Sequence, residues 1–257
     1  MKKLIMKILP PIIAVSALLV VWQLLSVSNI LPAYMMPSPI KVFKALCEDF
    51  PVLCYHGVIT IYEAVLGTLI GIVISFVIAI IMDLCPPVKN GLYPILVASQ
   101  TIPSIAIAPL LLLWFGYGIL PKIILIVITT FFPITISLLE GFASADKDNL
   151  RLIRSMGGNT LQEFIHIKLP GAMSYFFSGL KISVAYSIIG AVISEWLGGT
   201  RGLGVYMTRV RKSFAYDKMF AVIFFIAGVS LLLLLVVTII KWLAMPYERK
   251  INKNVKE

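Results

Sequence analysis

The amino-acid sequence predicts an all-α polytopic membrane protein with six transmembrane helices. Three observations carry the prediction. Hydrophobic residues make up 60% of the 257-residue chain and charged residues only 13%, where a soluble domain carries about 25% charged residues. Mean hydropathy is +0.98. Apolar runs of about 20 residues, the length that crosses a hydrocarbon core, recur along the chain, with the polar residues gathered between them. This distribution excludes a globular enzyme held by a single anchor.

The first span is expected at 8–27, with Pro10-Pro11 in its first turn, where a missing N–H costs least. Lys2, Lys3 and Lys7 precede it and no small-x-small cleavage site follows, so it reads as an uncleaved span. Residues 39–50 suit a short interfacial helix. The second span, 57–82, has Glu63 as its one charge. Gly67-x-x-x-Gly71 within it would admit a close helix neighbour, in this subunit before a dimer seam.

Residues 90–121 are uncharged for 32 residues, too long for one straight span and too short for two. Pro94, Pro103 and Pro109 predict a single broken span over 92–114. Broken backbone at membrane depth is tolerated where it is buried in protein or lines a wet cavity. Ser99, Gln100, Thr101 and Ser104 at the break are therefore candidates for a solute path, or else helix-packing polar residues. The fourth span, 122–139, is kinked by Pro133. The fifth, 175–197, has Lys181 and Glu195 near its ends. Gly198, Gly199, Gly202 and Gly204 then read as a tight turn capping that helix, within a basic loop. The last span, 219–240, carries no charge.

Between the fourth and fifth spans lies a polar loop, 141–170, whose second half reads RLIRSMGGNTLQEFIHIKLP from Arg151 to Pro170. Arg151, Arg154, Glu163, His166 and Lys168 place it in water. Leu152, Ile153, Met156, Leu161, Phe164, Ile165 and Leu169 recur at roughly helical spacing. Gly157-Gly158 interrupts them and Pro170 closes the stretch, which predicts two short amphipathic helices with a bend. Such a loop either docks a partner or lies on the membrane surface.

Six spans put both termini on one side. With the termini inside, twelve cations face the cytoplasm: Lys2, Lys3, Lys7, Lys89, Lys147, Arg151, Arg154, Lys168, Arg249, Lys250, Lys253 and Lys256. Seven face outward: Lys41, Lys44, Arg201, Arg209, Arg211, Lys212 and Lys218. Lys122, Lys181 and Lys241 stand at span ends and are left out of the count. The positive-inside rule thus puts the termini and the polar loop in the cytoplasm. The formal charge of +10 is spread over loops and termini without a long basic run, which fits membrane topology and not nucleic acid. Cys47, Cys54 and Cys85 make no disulfide framework; Cys47 and Cys54 either pair or stay free, and free thiols are the plainer reading. Two histidines without a Cys/His cluster give no metal site.

The polar loop resembles the cytoplasmic signature loop of the inner-membrane subunits of ATP-binding-cassette importers. That pattern runs Glu-Ala-Ala, three residues, Gly, nine residues, Ile, one residue, Leu-Pro. Gly157, Ile167, Leu169 and Pro170 stand at those intervals, whereas Arg151, Leu152 and Ile153 replace the Glu-Ala-Ala. The likeness extends from about Pro37 to the last span. Pro37-Ser38-Pro39, Ile102-Pro103, Pro109-Leu110, Trp114-Phe115-Gly116-Tyr117-Gly118, Phe132-Pro133-Ile134 and Gly202-Leu203-Gly204 look like the nitrate/sulfonate/taurine-type permeases, a group that includes carriers of thiamine pyrimidine precursors.

The resemblance implies the type I importer fold and a homodimeric channel in a prokaryotic cell membrane. It also implies a separate ATPase bound to each signature loop and an external solute-binding protein. ATP and Mg would then reside on the ATPase subunits. Consistently, the chain has no G-x-x-x-x-G-K-[ST] phosphate loop and is expected to bind no cofactor itself. The coupling residues implied are Arg151, Arg154, Met156, Gly157, Gly158, Leu161, Phe164, Ile167, Leu169 and Pro170, with Met156, Leu161 and Phe164 as the anchors buried against the ATPase.

Glu195 and Trp196, with Trp114, Phe115 and Tyr117, are candidates for the mouth of the path, where a flat heterocycle would stack. Trp and Tyr at span ends equally form the interfacial belt of any membrane protein. Glu63 and Glu195 read as isolated acids near membrane depth, and no Arg lies deep in a span. The balance leans to a neutral or cationic organic solute over a nitrate- or sulfonate-like anion. An ion-coupled secondary transporter working without an ATPase is the alternative, and paired mid-membrane acids would favour it. An intramembrane enzyme would need a His- or Ser-based constellation, yet His56 and His166 fall at span boundaries.

Overall fold

A computed structural model describes residues 2–28 and 35–246, residues 2–8 by their backbone alone. Arg249, Lys250, Lys253 and Lys256 lie outside the described residues, as do the side chains of Lys2, Lys3 and Lys7. Every regular element among the described residues is helical. In order they are α1 (Lys2–Val27), α2 (Pro39–Glu48), α3 (Phe50–Leu84), α4 (Pro86–Ser99), α5 (Ser104–Phe115), α6 (Leu120–Ala143), α7 (Lys147–Ser155), α8 (Thr160–Glu163), a π turn (Phe164–Lys168), α9 (Leu169–Gly198), α10 (Leu203–Lys212) and α11 (Tyr216–Ala244). Five helices are long and apolar enough to span a membrane, and the α4–α5 pair, bent by 99°, makes a sixth. Cys47, Cys54 and Cys85 are free thiols.

Several boundaries shift for local reasons. The third helix begins at Phe50, before the apolar pattern of 57–82, because its first turns pack on other elements: buried Leu53 joins Leu203, Tyr206, Val210 and Val222. Around the expected break, α4 ends at Ser99 and α5 starts after Pro103, which is extended at φ −61°, ψ 124°. Pro170 does not close the polar loop as expected. It stands in the first turn of α9, continuous with the π turn and α8. Pro170 has no N–H to donate, and the Leu169 N–H already reaches back to Phe164 O, so the ladder widens just where a proline would obstruct an α turn.

The core is a three-helix contact of α3, α6 and α9. Lipid is as apolar as leucine, so helices in a bilayer associate through close packing and hydrogen bonds. Small residues provide the closeness. A Cβ added at Gly67 would stand 2.5 Å from Ile126 Cγ2, and one at Gly71 2.6 Å from Thr130 Oγ1. The Gly67–Gly71 face therefore seats α6 of the same chain. Between α6 and α9, Gly141 meets Ala172 and Gly179 meets Ser137 and Pro133 O in the same way. Hydroxyls supply the bonds: Ser75 Oγ donates to Phe131 O at 2.8 Å and Ser183 Oγ to Thr130 O at 2.6 Å.

Within this frame Lys122 and Glu63 form a buried ion pair. Lys122, expected at a span end, is buried and donates to Glu63 Oε1 at 2.6 Å. Glu63 and Glu195 are not isolated, since Glu195 interacts electrostatically with both Glu63 and Lys122. At the α2–α3 corner, Asp49 receives the Tyr206 hydroxyl of α10 and, at 3.0 Å, Lys218 Nζ of α11.

Burial alone would raise the pKa of Asp49, but the bonds from Tyr206 and Lys218 outweigh it and hold the carboxyl below its ordinary value. A depressed carboxylate stabilises the fold above its unfolded pKa, and that contribution is lost as pH falls through the folded value. Asp49→Asn is expected to lower thermal stability in detergent at neutral pH, with the two melting temperatures converging below about pH 4. Gly67→Val is expected to destabilise the bundle by about 1–3 kcal/mol, read as a lower melting temperature. Gly91→Ala in α4, where an added Cβ meets nothing within 4 Å, should not lower it.

Candidate functional site

The α4–α5 break opens a cavity of about 290 Å³ lined by Ser99, Gln100, Ile102, Pro103, Ser104 and Ile107 from the break, Ile128 and Thr129 from α6, and Tyr186, Ile189 and Gly190 from α9. Its wall mixes polar and apolar groups and carries no charged side chain. Of the path residues expected from sequence, Ser99, Gln100 and Ser104 come together here. Thr101 lies beside them, its hydroxyl turned to Ala98 O at 2.7 Å. Trp196 lines an adjoining apolar cleft that shares Pro103, Ser104 and Ile189 with the cavity. Trp114 is exposed at the end of α5 and lines neither. Thr129 and Tyr186 were not foreseen, because each looks like an ordinary residue of an apolar span and only the fold turns it inward.

The polar loop folds as two helices held rigidly at their bend. Gly157 is left-handed at φ +82°, and the two terminal bonds of α7, Gly158 N–H to Ile153 O at 2.9 Å and Gly157 N–H to Arg154 O at 3.0 Å, make a Schellman motif. Gly158 has no room for a Cβ, which would overlap Ile153. Asn159 and Gln162 then form a reciprocal capping box that starts α8. The N-x-x-Q spacing is the sequence signal of that box. Arg154 bridges the two helices through a bidentate pair with Glu163, at 2.5 and 3.0 Å. This bond raises the pKa of Arg154, with the Glu163 charge adding to it.

The exposed surface of this unit includes large apolar side chains. Met156 is 78% exposed and Leu161 64%, with Leu152 beside them. Phe164 corrects an expectation. Instead of facing outward as an anchor it is buried inside the chain, its ring centroid 5.1 Å from that of Phe142 on α6. Ile167 and Leu169 are half-buried, Leu169 against the same core, and Pro170 is exposed. Lys168 Nζ reaches Asp83 Oδ2 at the end of α3, at 2.7 Å. Arg151 is exposed and faces Asp148 at 3.4 Å.

Glu195 proves to be a structural residue, buried and not in the lining of the cavity. The glycines after α9 do not cap it in a left-handed turn, since Gly199 is extended at φ −83°. They seat the start of α10. Three successive backbone N–H groups there find side-chain acceptors: Gly202 on His56 Nδ1 at 3.1 Å, Leu203 on Thr60 Oγ1 at 2.9 Å and Gly204 on Glu195 Oε2 at 2.6 Å. Thr60 Oγ1 in turn donates to Glu195 Oε1 at 2.7 Å. Gly202 sits at φ +125°, and a Cβ there would overlap the Glu195 carboxylate.

Comparison with known proteins agrees with this arrangement. Residues 67–245 match the family described as binding-protein-dependent transport system inner membrane component. A probable ABC transporter permease protein of Haemophilus influenzae is 36% identical over 88% of this chain and 93% of its own length. The formylaminopyrimidine transport permease protein ThiX of Halalkalibacterium halodurans is 33% identical over 94% of this chain and 97% of its own. A crystal structure of an amino acid ABC transporter with histidines shares the fold at TM-score 0.62 and 18% identity, covering 80% of this chain and 98% of that one. The chain therefore belongs to the binding-protein-dependent transport system inner membrane components, the multi-pass permease subunits of ABC importers.

Proposed function

We propose that this permease carries an uncharged aromatic heterocycle of the pyrimidine-precursor kind, driven by a separate ATPase seated on its polar loop. The observation that carries the substrate class is the wall of the α4–α5 cavity. Gln100 and Ser104 can exchange hydrogen bonds with ring nitrogens and amino groups, Ser99 and Thr129, whose hydroxyls donate to Leu96 O and Ile126 O, can accept from amino groups, and Tyr186 offers a ring to stack on. A sulfonate or nitrate would be desolvated there against no cation, at considerable cost. The formylaminopyrimidine permease relative supports the same class.

Both termini and the loop 141–170 face the cytoplasm in this reading, and residues 1–257 form one permease domain. Two copies of the permease pair around the path, with one ATPase subunit on each loop and a solute-binding protein outside. The ATPases hold ATP and Mg, and this chain holds no cofactor. Met156 and Leu161, with Leu152, supply the apolar knob that enters an ATPase cleft. Gly157 and Gly158 shape its bend, Arg154 locks it, and Arg151 lies at its exposed edge. Ile167, Leu169 and Pro170 join it to α9. Because Phe164 packs on Phe142, displacement of the knob moves α6 and α9, two walls of the cavity, relative to the α4–α5 break.

Gly157→Val forces a β-branched residue into left-handed backbone, a strain of about 1–3 kcal/mol. Solute-stimulated ATP hydrolysis by the reconstituted complex is expected to vanish while the protein still inserts, and unchanged stimulation would remove the loop from coupling. Tyr186→Leu is expected to lower uptake of a formylaminopyrimidine into vesicles about fivefold, the worth of roughly 1 kcal/mol of stacking. Uptake of sulfonate or nitrate by the wild-type complex, in preference to the pyrimidine, would refute the substrate class.

A further inference from the structure

We propose that Glu195 is a proton site of this permease, held as the neutral acid with its hydroxyl donated to Glu63 Oε2. Glu63 of α3 and Glu195 of α9 are 4% and 1% exposed, and their carboxyl groups stand in hydrogen-bond contact. Glu63 Oε1 receives Lys122 Nζ at 2.6 Å. Glu63 Oε2 is buried and finds no nitrogen or hydroxyl donor among the described residues. A buried acceptor left without a donor is costly, and two touching carboxylates cannot both be ionised. One proton between them answers both demands.

The surroundings decide which acid keeps it. Lys122 gives Glu63 a cation in direct contact, which favours the ionised form. Glu195 has only uncharged donors: Thr60 Oγ1 donates to its Oε1 at 2.7 Å and the Gly204 N–H to its Oε2 at 2.6 Å. A protonated carboxyl accepts both and still has its own hydroxyl to give. Gly202 and Gly204 pack directly on the Glu195 carboxyl and hold it in place.

The other titratable groups nearby leave the charge count as it is. His56 accepts the Gly202 N–H on Nδ1, so its ring is neutral. Tyr206 lies against that ring and gives its hydroxyl to Asp49. The Arg201 guanidinium lies over the Tyr55 ring, and Arg209 is exposed on α10. One cation, one carboxylate and one neutral acid then leave no net charge buried in the cluster. A cavity of about 440 Å³, lined by Glu63 and Lys122 with Tyr117, Thr200 and Arg201, brings water to the pair, so the proton has a route in and out. A proton bound by the folded chain and given up on unfolding stabilises the fold, and that contribution shrinks as pH rises. Its loss sets two carboxylates in contact beneath the start of α10.

The test uses the full-length permease in lipid nanodiscs, read by infrared spectroscopy and by melting temperature. At neutral pH the wild type is expected to show the C=O band of one protonated carboxyl, absent from Glu195→Gln. That variant mimics the neutral acid. Its amide nitrogen donates to Glu63 Oε2, its oxygen accepts from Gly204, and Thr60 Oγ1 turns its proton to His56 O, 3.4 Å away. Its melting temperature should match the wild type at neutral pH and stay level as pH is raised, where that of the wild type falls. Glu63→Gln takes the counter-charge from Lys122 and should melt lower.

A wild-type protein without the band overturns the inference and leaves a water as the donor to Glu63 Oε2. A band that survives in Glu195→Gln overturns it as well. So does the reverse order of stability, with Glu63→Gln matching the wild type and Glu195→Gln melting lower, which moves the proton to Glu63. Failure of Glu195→Gln to insert has the same force, because that variant keeps the bonds of the neutral acid.

Discussion

The close approach of α6 and α9 is the constraint on which the rest of the molecule depends. No hydrophobic force draws two helices together in lipid, so contact has to come from surfaces that fit. Gly141 against Ala172 and Gly179 against Pro133 O remove the side chains that would hold the helices apart. The gap is then small enough for Ser183 to bond the Thr130 carbonyl across it. Pro133 sits in that same contact, its carbonyl oxygen facing the missing side chain on α9. A bulkier residue at either glycine would disturb the hydrogen bond as well as the packing.

That contact lets α9 serve three places at once. Near its middle it lends Tyr186, Ile189 and Gly190 to the cavity. At one end Glu195 fastens α10, and at the other the π turn joins it to α8 without a loop. The π turn matters because a proline at position 170 would otherwise interrupt the helix between the loop and the membrane. With the turn widened, α8 and α9 form one continuous helical run. The Arg154–Glu163 pair, though exposed on the arginine side, adds geometry more than energy: a bidentate pair fixes the angle between α7 and α8.

Much of this was legible in the sequence where the signal is local. Hydropathy gave the spans, three prolines gave the broken third one, and glycine spacing gave the bend at Gly157. The Schellman motif and the Asn159–Gln162 box follow the same local rules. What could not be read depends on faces meeting across the bundle. Phe164 has the spacing of an exposed anchor, yet the chain turns it onto Phe142. Glu195 beside Trp196 at a span end looks like a cavity mouth until α3 brings Thr60 to it. The glycines after α9 look like a C-cap because the pattern does not show that three acceptors are waiting for the next helix. In each case a residue's role is set by a partner more than fifteen positions away or by the rotation of its helix.

The same lesson bears on charge in the membrane. Ionisable residues at depth are usually read as pointers to what is carried, and Glu63, Lys122 and Glu195 invite that reading. Here they are bound into the fold. Lys122 holds Glu63, and Glu195 accepts from Thr60 and from Gly204. Removing one partner of the Lys122–Glu63 pair leaves an uncompensated charge, at a cost of about 3–5 kcal/mol, so neither can be lost alone. Once these charges are set aside, the cavity at the α4–α5 break is described by what lines it: an amide, three hydroxyls and a phenol ring on an otherwise apolar wall. A wall of that kind distinguishes solutes by the pattern of their donors and acceptors and by their flatness, and it opposes a bare ion of either sign.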